Sequence, residues 1–512
     1  MATRQSTEIS FANFGGGRAS VKNPTTLTLN EASDLDNVVI KPSGAGFRSR
    51  DGNTEFNATA MVSGSTPVTG LGYFKDTSSS EWLMAVAGTK LYKSDSLDGT
   101  MDDITGAVTI TSGQNNLWDI FTFNDLSIGV GGAPDAPFKW DGTGNGAALG
   151  GSPPSGETGL AWNNRVWIAS TSTNPSVIYW SVLADPEDWS GDGSGNATVN
   201  KDDGEPITAI EPVNSNILLV FKKNSTHQLV GRSAPFSVFS LFQNTGCVGK
   251  HAVVSVDGLV YFVTPRGHMI ITDGNEIIDE KVLPSLSSAD DVWDGLNRSR
   301  LKYIQGFRYK GYDFDHIVWM ASNGSSTTNN YAVVWDILNK CWLTHSTGHP
   351  ANARVVTGDN VPYIGAYDGK IYKMYVDGTH ADASDSGANV AWYWRSDWFT
   401  SDSLQKIAQI QRVNIAYETQ ASGSMTLGYG YDFVKNSRSK TFSIEEKGDT
   451  WDESYWDTAI WGGFSDIIKP NFIVGRGNVF NVQFSGSDAV TYNINRYSIF
   501  GKQQSDKHFD AS

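Results

Sequence analysis

The sequence is short of cysteine, of charge and of long apolar runs, and each shortage excludes a class of protein. Two cysteines, Cys247 and Cys341, cannot staple 512 residues, so stability must come from a packed core and nothing calls for an oxidising compartment. Charged residues make up 18% of the chain and no three Lys or Arg follow one another, which argues against a basic face that neutralises phosphates. Apolar runs such as residues 217–221 fall far short of a bilayer span, and the opening Met1 to Glu8 is polar where a secretory core would be apolar. The expectation is a soluble protein with no membrane-spanning segment and no signal peptide.

What the chain does hold is 53 Gly beside 17 Trp, 19 Tyr and 24 Phe. Many tight turns and many large rings suit numerous short strands, so the fold class expected is all-β. The balance is acidic, with 39 Lys+Arg against 55 Asp+Glu and a net charge of −16.

A unit of two strands recurs. Its first strand reads at residues 82–87, 126–130, 166–169, 217–221, 259–263, 317–321 and 361–366, and its partner at 90–93, 137–140, 177–180, 227–230, 269–272, 332–335 and 371–375. Taken at Tyr92, Phe138, Tyr179, Gln228, Ile271, Val334 and Tyr372, the spacings are 46, 41, 49, 43, 63 and 38 residues. Four-stranded propeller blades repeat at roughly 40 to 50 residues. Asp-Gly pairs at Asp141-Gly142, Asp257-Gly258, Asp273-Gly274, Asp368-Gly369 and Asp377-Gly378 stand where hairpins need positive φ. A single blade cannot cover both faces of its sheet, whereas a ring of blades can.

The pattern therefore predicts a β-propeller of six or seven blades over residues 63–385, with two stacked β domains as the other way to arrange such hairpins. The long gap holds residues 283–301, with Pro284 and Trp293, read as a helical excursion or part of a docking surface. Residues 1–62 are poor in apolar clusters and read as an extended N-terminal arm that neighbouring subunits would order. Residues 386–512 open with Trp392, Trp394 and Trp398 and alternate at 411–417, 425–431, 441–444, 472–474 and 480–484, which predicts a C-terminal antiparallel, sandwich-like domain joined through residues 378–389.

Chemistry is thinly represented. Cys247 and Cys341 are too far apart for a zinc pair, and His345 and His349, flanked by Gly348 and Pro350, read as surface histidines. The acidic stretch 185–205 contains Asp192, Ser194 and Asn196 in partial EF-hand order but puts Ala197 where glycine belongs, so a solvated loop is favoured over calcium. There is no Gly-x-Ser-x-Gly elbow, and the Gly-rich stretch 142–151 lacks the Lys-Ser/Thr of a phosphate loop. Sugar binding or cleavage is the enzymatic rival, since tryptophans stack on sugars and a carboxylate pair is all it needs, but the nearest Asp-box approaches, at Ser190 to Ser194 and Ser96 to Gly99, both fail. No catalytic, cofactor-binding or metal residue is assigned, and the chain is expected not to be an enzyme.

Three opening segments, Phe11 to Gly17, Leu29 to Val38 and Phe47 to Gly52, are followed in order by Pro137 to Gly142, Tyr179 to Ser181 with Asp185 to Trp189, Leu218 to Val230, and Gly246 to Gly249. In this ordering the chain resembles the tail nozzle proteins, also called tail hub or head-to-tail stabilisation proteins, of short-tailed bacteriophages. The likeness covers most of residues 9–385 and is weaker beyond. It implies a structural virion protein, assembled in the host cytoplasm as a hexameric ring against portal-side adaptor proteins, with tail fibres or spikes as further partners. The ring would pass double-stranded DNA without holding it. An acidic wall suits that task, because like charge discourages adhesion over the ~8–10 Å that salt leaves unscreened. The alternatives are a sugar-binding or sugar-cleaving propeller, acting as a tail depolymerase or receptor-binding protein, and an interaction propeller outside any virion.

Overall fold

The computed structural model describes residues 6–19, 28, 30–131, 135–283, 295–400, 408–419, 422–444, 467–490 and 492–503. Seven four-stranded antiparallel sheets follow one another along the chain. Their innermost strands are Val68–Lys75, Trp118–Phe123, Gly156–Trp162, Ile207–Pro212, Val253–Val256, Gln305–Lys310 and Ala351–Val356. Each packs against the next, and the seventh packs against the first, so the blades close a ring.

All seven hairpins read from the sequence are the second and third strands of these blades. Those strands lie between neighbouring blades and are covered on both faces, which is why Arg165–Thr171, Ile217–Lys222 and Asp315–Ala321 are buried at every position and read as continuous runs. The glycines of the Asp-Gly turns all have positive φ, from 73° at Gly378 to 90° at Gly142. The blade count resolves to seven, and the fold is a β-propeller with a second, sandwich-like β domain.

The seventh blade is completed from far upstream. Its outermost strand is Thr54–Glu55, which pairs with Ile371–Lys373, so the beginning of the chain fastens the end of the ring.

The N-terminal segment departs from the expectation of an arm ordered by neighbours. Ser6–Phe11 pairs with Tyr492–Gln503, Phe47–Ser49 pairs with both that strand and Val38–Ile40, and Asp34–Asp36 pairs with Trp392–Arg395. Two six-stranded sheets result, each made from both ends of the chain. Trp394 of one stacks on Phe47 of the other with ring centroids 5.6 Å apart, and Phe484 meets Tyr497 edge-on at 5.1 Å. The physical reason is spacing: Phe11, Phe14, Leu35, Val38, Ile40 and Phe47 are all buried, but strands of two to six residues are too short for their alternation to stand out. The propeller is thus inserted into the sandwich, and a single apolar core runs from Phe14 and Trp394 into Val318, Leu343 and Tyr372 of blades six and seven.

Of the stretch 283–301, the part containing Pro284 and Trp293 lies outside the described residues, and Arg298–Tyr303 is a short 3-10 helix. Among the described residues no helix is long and apolar enough to cross a membrane.

Candidate functional site

The ring encloses a cavity of about 170 Å³ on its axis, lined by the inner strands of five blades and by the turn before the inner strand of blade five. One end is shut by hydrogen bonds that cross the ring. Lys250 Nζ donates to the carbonyls of Leu117 and Glu157 at 2.8 and 2.9 Å. Arg300 donates to Asn115 Oδ1 at 2.8 Å, and Gln114 Nε2 to the Thr327 carbonyl at 3.0 Å. The other end opens: along Val68–Lys75, Ile207–Pro212, Gln305–Lys310 and Ala351–Val356 the first residue is buried and burial relaxes toward the last. The cavity is therefore a funnel, blind at the N-terminal ends of the inner strands.

Five ionisable side chains meet in it: Asp119, Glu211, Lys250, His251 and Arg354. Asp119 accepts from His251 Nε2 at 2.6 Å and from the Gly159 backbone N–H at 3.1 Å, and Lys250 Nζ lies 3.2 Å away. Burial works to raise the Asp119 pKa, yet the Lys250 ammonium and the His251 hydrogen bond hold it well below the usual carboxylate range. An ionised carboxylate only accepts, so His251 carries its proton on Nε2. Burial pushes the His251 imidazole down to about 4 and Glu211 up to about 7; Arg354 and the Ser255 backbone N–H restrain the rise of Glu211. Arg354 Nε and His251 Nδ1 are buried with no partner.

No candidate from the sequence falls in this funnel, and sequence reasoning missed all five residues. A signal existed, a single ionisable residue set inside an apolar strand, as in Trp118-Asp119-Ile120, Ile210-Glu211-Pro212 and Ala353-Arg354-Val355. Such residues are costly to bury unless they are paired or face a cavity.

The acidic stretch 185–205 does not converge on a point. Asp188 Oδ1 accepts from the backbone N–H groups of Ser190 and Gly191, Asp203 Oδ1 from Glu205 N and Lys222 Nζ, and Glu187 from Gly150 N and Lys139 Nζ. Among the described residues no group of three His, Cys, Asp or Glu is placed to hold a metal ion.

The reading of His345 and His349 as surface residues is corrected: both are buried, 1% and 0% exposed, with Tyr375 Oη 2.9 Å from His349 Nε2. Turn residues Gly348 and Pro350 rule out a helix there but say nothing of depth, and the turn is covered by the N-terminal segment. The tryptophans expected to fill cores do so at Trp140, Trp319 and Trp335; among the described tryptophans none is fully exposed, and Trp82 and Trp189 are half-buried.

The funnel also bears on nucleic acid. A duplex whose major groove alone is about 12 Å wide cannot thread a blind cavity of this volume. Any route for DNA would lie between molecules and not through a propeller.

No protein-family model and no curated protein matches the chain. Solved structures match about two thirds of the chain. YCF48 from Cyanidioschyzon merolae is 11% identical with a TM-score of 0.40, over 63% of this chain and 98% of its own. The WD40 β-propeller domain of Doa1 is 10% identical at 0.39, over 64% and 97%. BBS1N, in its complex with ARL6DN, is 11% identical at 0.42, over 64% and 98%. These are likenesses of fold.

Proposed function

We propose that the chain is a structural subunit of a short-tailed bacteriophage tail nozzle, assembling as a homo-oligomeric ring whose central passage conducts the genome. The observation that carries this reading is where the resembling segments fall. Phe11 to Gly17, the Leu35 to Val38 part of the second segment, and Phe47 to Gly52 lie at the seam between sandwich and propeller, where Asn37 N donates to the Thr344 carbonyl at 2.8 Å and Arg50 Nη2 to the Thr347 carbonyl at 3.0 Å. These segments contribute to one apolar core shared by the two domains, which suits a part that bears load in an assembly. The acidic balance supports the role, since a wall of the same sign as the phosphates lets them slide.

Enzymatic roles find no support of this kind: the axial funnel is narrow, at about 170 Å³, and among the described residues no tryptophan is fully exposed. Native mass spectrometry of the purified chain, run beside a hydrolysis assay on host surface glycans, tests the proposal. Rings that leave glycans intact support it. Monomers or trimers that degrade glycans overturn it and favour a depolymerase.

A further inference from the structure

Arg354 is an unusual guanidinium. It stands in the inner strand of blade seven and lines the axial funnel together with Asp119 and Glu211, yet no hydrogen bond or ion pair ties it to either among the described residues, and its Nε is buried without a partner. A buried guanidinium ordinarily takes an acceptor for its donors, because leaving them unmade is costly. Asp119 is already engaged by His251, Gly159 and Lys250. Glu211 takes the Ser255 N–H. His251, 8% exposed, lines the same cavity, and its Nδ1 is buried without a partner.

The remaining lining selects among anions. Leu71, Ile120, Leu160 and Ile210 form apolar walls. The space equals that of about six water molecules, enough for several heavy atoms. With Asp119 ionised, Lys250 and Arg354 charged and Glu211 protonated, the funnel carries one positive charge in excess, which one carboxylate balances and a dianion exceeds. A guanidinium fork matches a carboxylate with two parallel hydrogen bonds.

We infer that the axial funnel is a receptor for a single carboxylate on a short alkyl stem, with Arg354 as its anchor and the apolar inner strands as its sleeve. The carboxylate could come from a small free acid or from an acidic side chain of a protein inserted through the mouth; both present the same chemistry.

Calorimetric titration of the full chain separates the sources. Butyrate and a peptide with a central glutamate are titrated at about pH 6 and about pH 8, with inorganic phosphate as comparator. At least one carboxylate is expected to bind with a Kd at or below about 10 mM, and Arg354→Gln to weaken it at least tenfold. Binding is expected to tighten toward pH 6, because Glu211 is then protonated while Asp119 and Lys250 stay charged, and Glu211→Gln to hold the tighter affinity at pH 8. Binding of both probes points to a free acid as a sufficient ligand; binding of the peptide alone points to a partner's side chain. Absence of binding by both, equal binding by phosphate, or binding unchanged in an Arg354→Gln protein of unaltered melting temperature overturns the inference.

Discussion

Arg50 and Asp382 form a buried bidentate ion pair, Nη1 to Oδ1 at 3.1 Å and Nη2 to Oδ2 at 2.6 Å, with both side chains 1% exposed. Arg50 lies just before the strand that closes the seventh blade, and Asp382 just after the propeller ends. The remaining donors of the guanidinium reach Asn37 Oδ1, the Asp51 carbonyl and Thr347. One side chain therefore ties the chain entering the ring to the chain leaving it.

Removing one partner of such a pair leaves an uncompensated buried charge. Asp382→Ala is expected to destabilise by about 3–5 kcal/mol. The double variant Arg50→Met with Asp382→Leu should cost markedly less than the two single changes together. Urea denaturation of the parent, Asp382→Ala, the two single changes and the double variant checks both statements.

Gly52 lies against this junction so closely that a Cβ there would stand 2.0 Å from the Ala381 carbonyl oxygen. Backbone cannot give way as a side chain can. Gly52→Ala is expected to cost about 2 kcal/mol or more and to raise hydrogen exchange in Thr54–Glu55 and its partner Ile371–Lys373, with the inner strands less affected.

Trp140, Trp319 and Trp335 fill spaces between the sheets of the ring. Replacing any of them by alanine should lower stability by about 3–5 kcal/mol. Thermal melting would show it. Unchanged melting would place the ring in a binding surface instead.

The buried histidines set an acid limit. His349 faces Arg50, Asp382, Thr347, Tyr375 and His345, and burial, aided by the Arg50 charge, pushes its pKa from 6.5 down to about 3. The unfolded chain therefore takes up this proton first, so the stability His349 confers is full above about pH 6.5 and is lost as the pH falls toward 3. Asp36, raised to about 7 by burial, acts in the opposite sense, its contribution declining as pH rises from about 4 through 7. Comparing His349→Gln with the parent cancels that slope. The variant should be less stable near pH 7 and approach the parent as the pH falls to about 4; a gap that stays constant would contradict the assignment.

How far the sequence reveals this molecule depends on what covers each strand. The second and third strands of every blade are enclosed on both faces, so their apolar runs stand out, and the Asp-Gly turns mark where they reverse. Inner strands face the funnel and are broken by Asp119, Glu211 and Arg354, while the closing strand Thr54–Glu55 has only two residues. Neither offers a periodicity to read. The N-terminal segment hides its role for a different reason: its partners lie more than 300 residues away, and nothing local in Phe11, Leu35 or Phe47 names them. The axial site was illegible because its five side chains come from four blades and become one cluster only when the ring closes.

If copies of this protein surround the path of the genome, as proposed, each propeller stays shut on its own axis. Electron cryomicroscopy of the particle that contains it tests this most directly. A closed ring of copies around a lumen wider than duplex DNA, with every propeller axis blocked at the level of Lys250 and Arg300, is the predicted result. DNA density running through a propeller, or a particle in which the protein forms no ring, would contradict it.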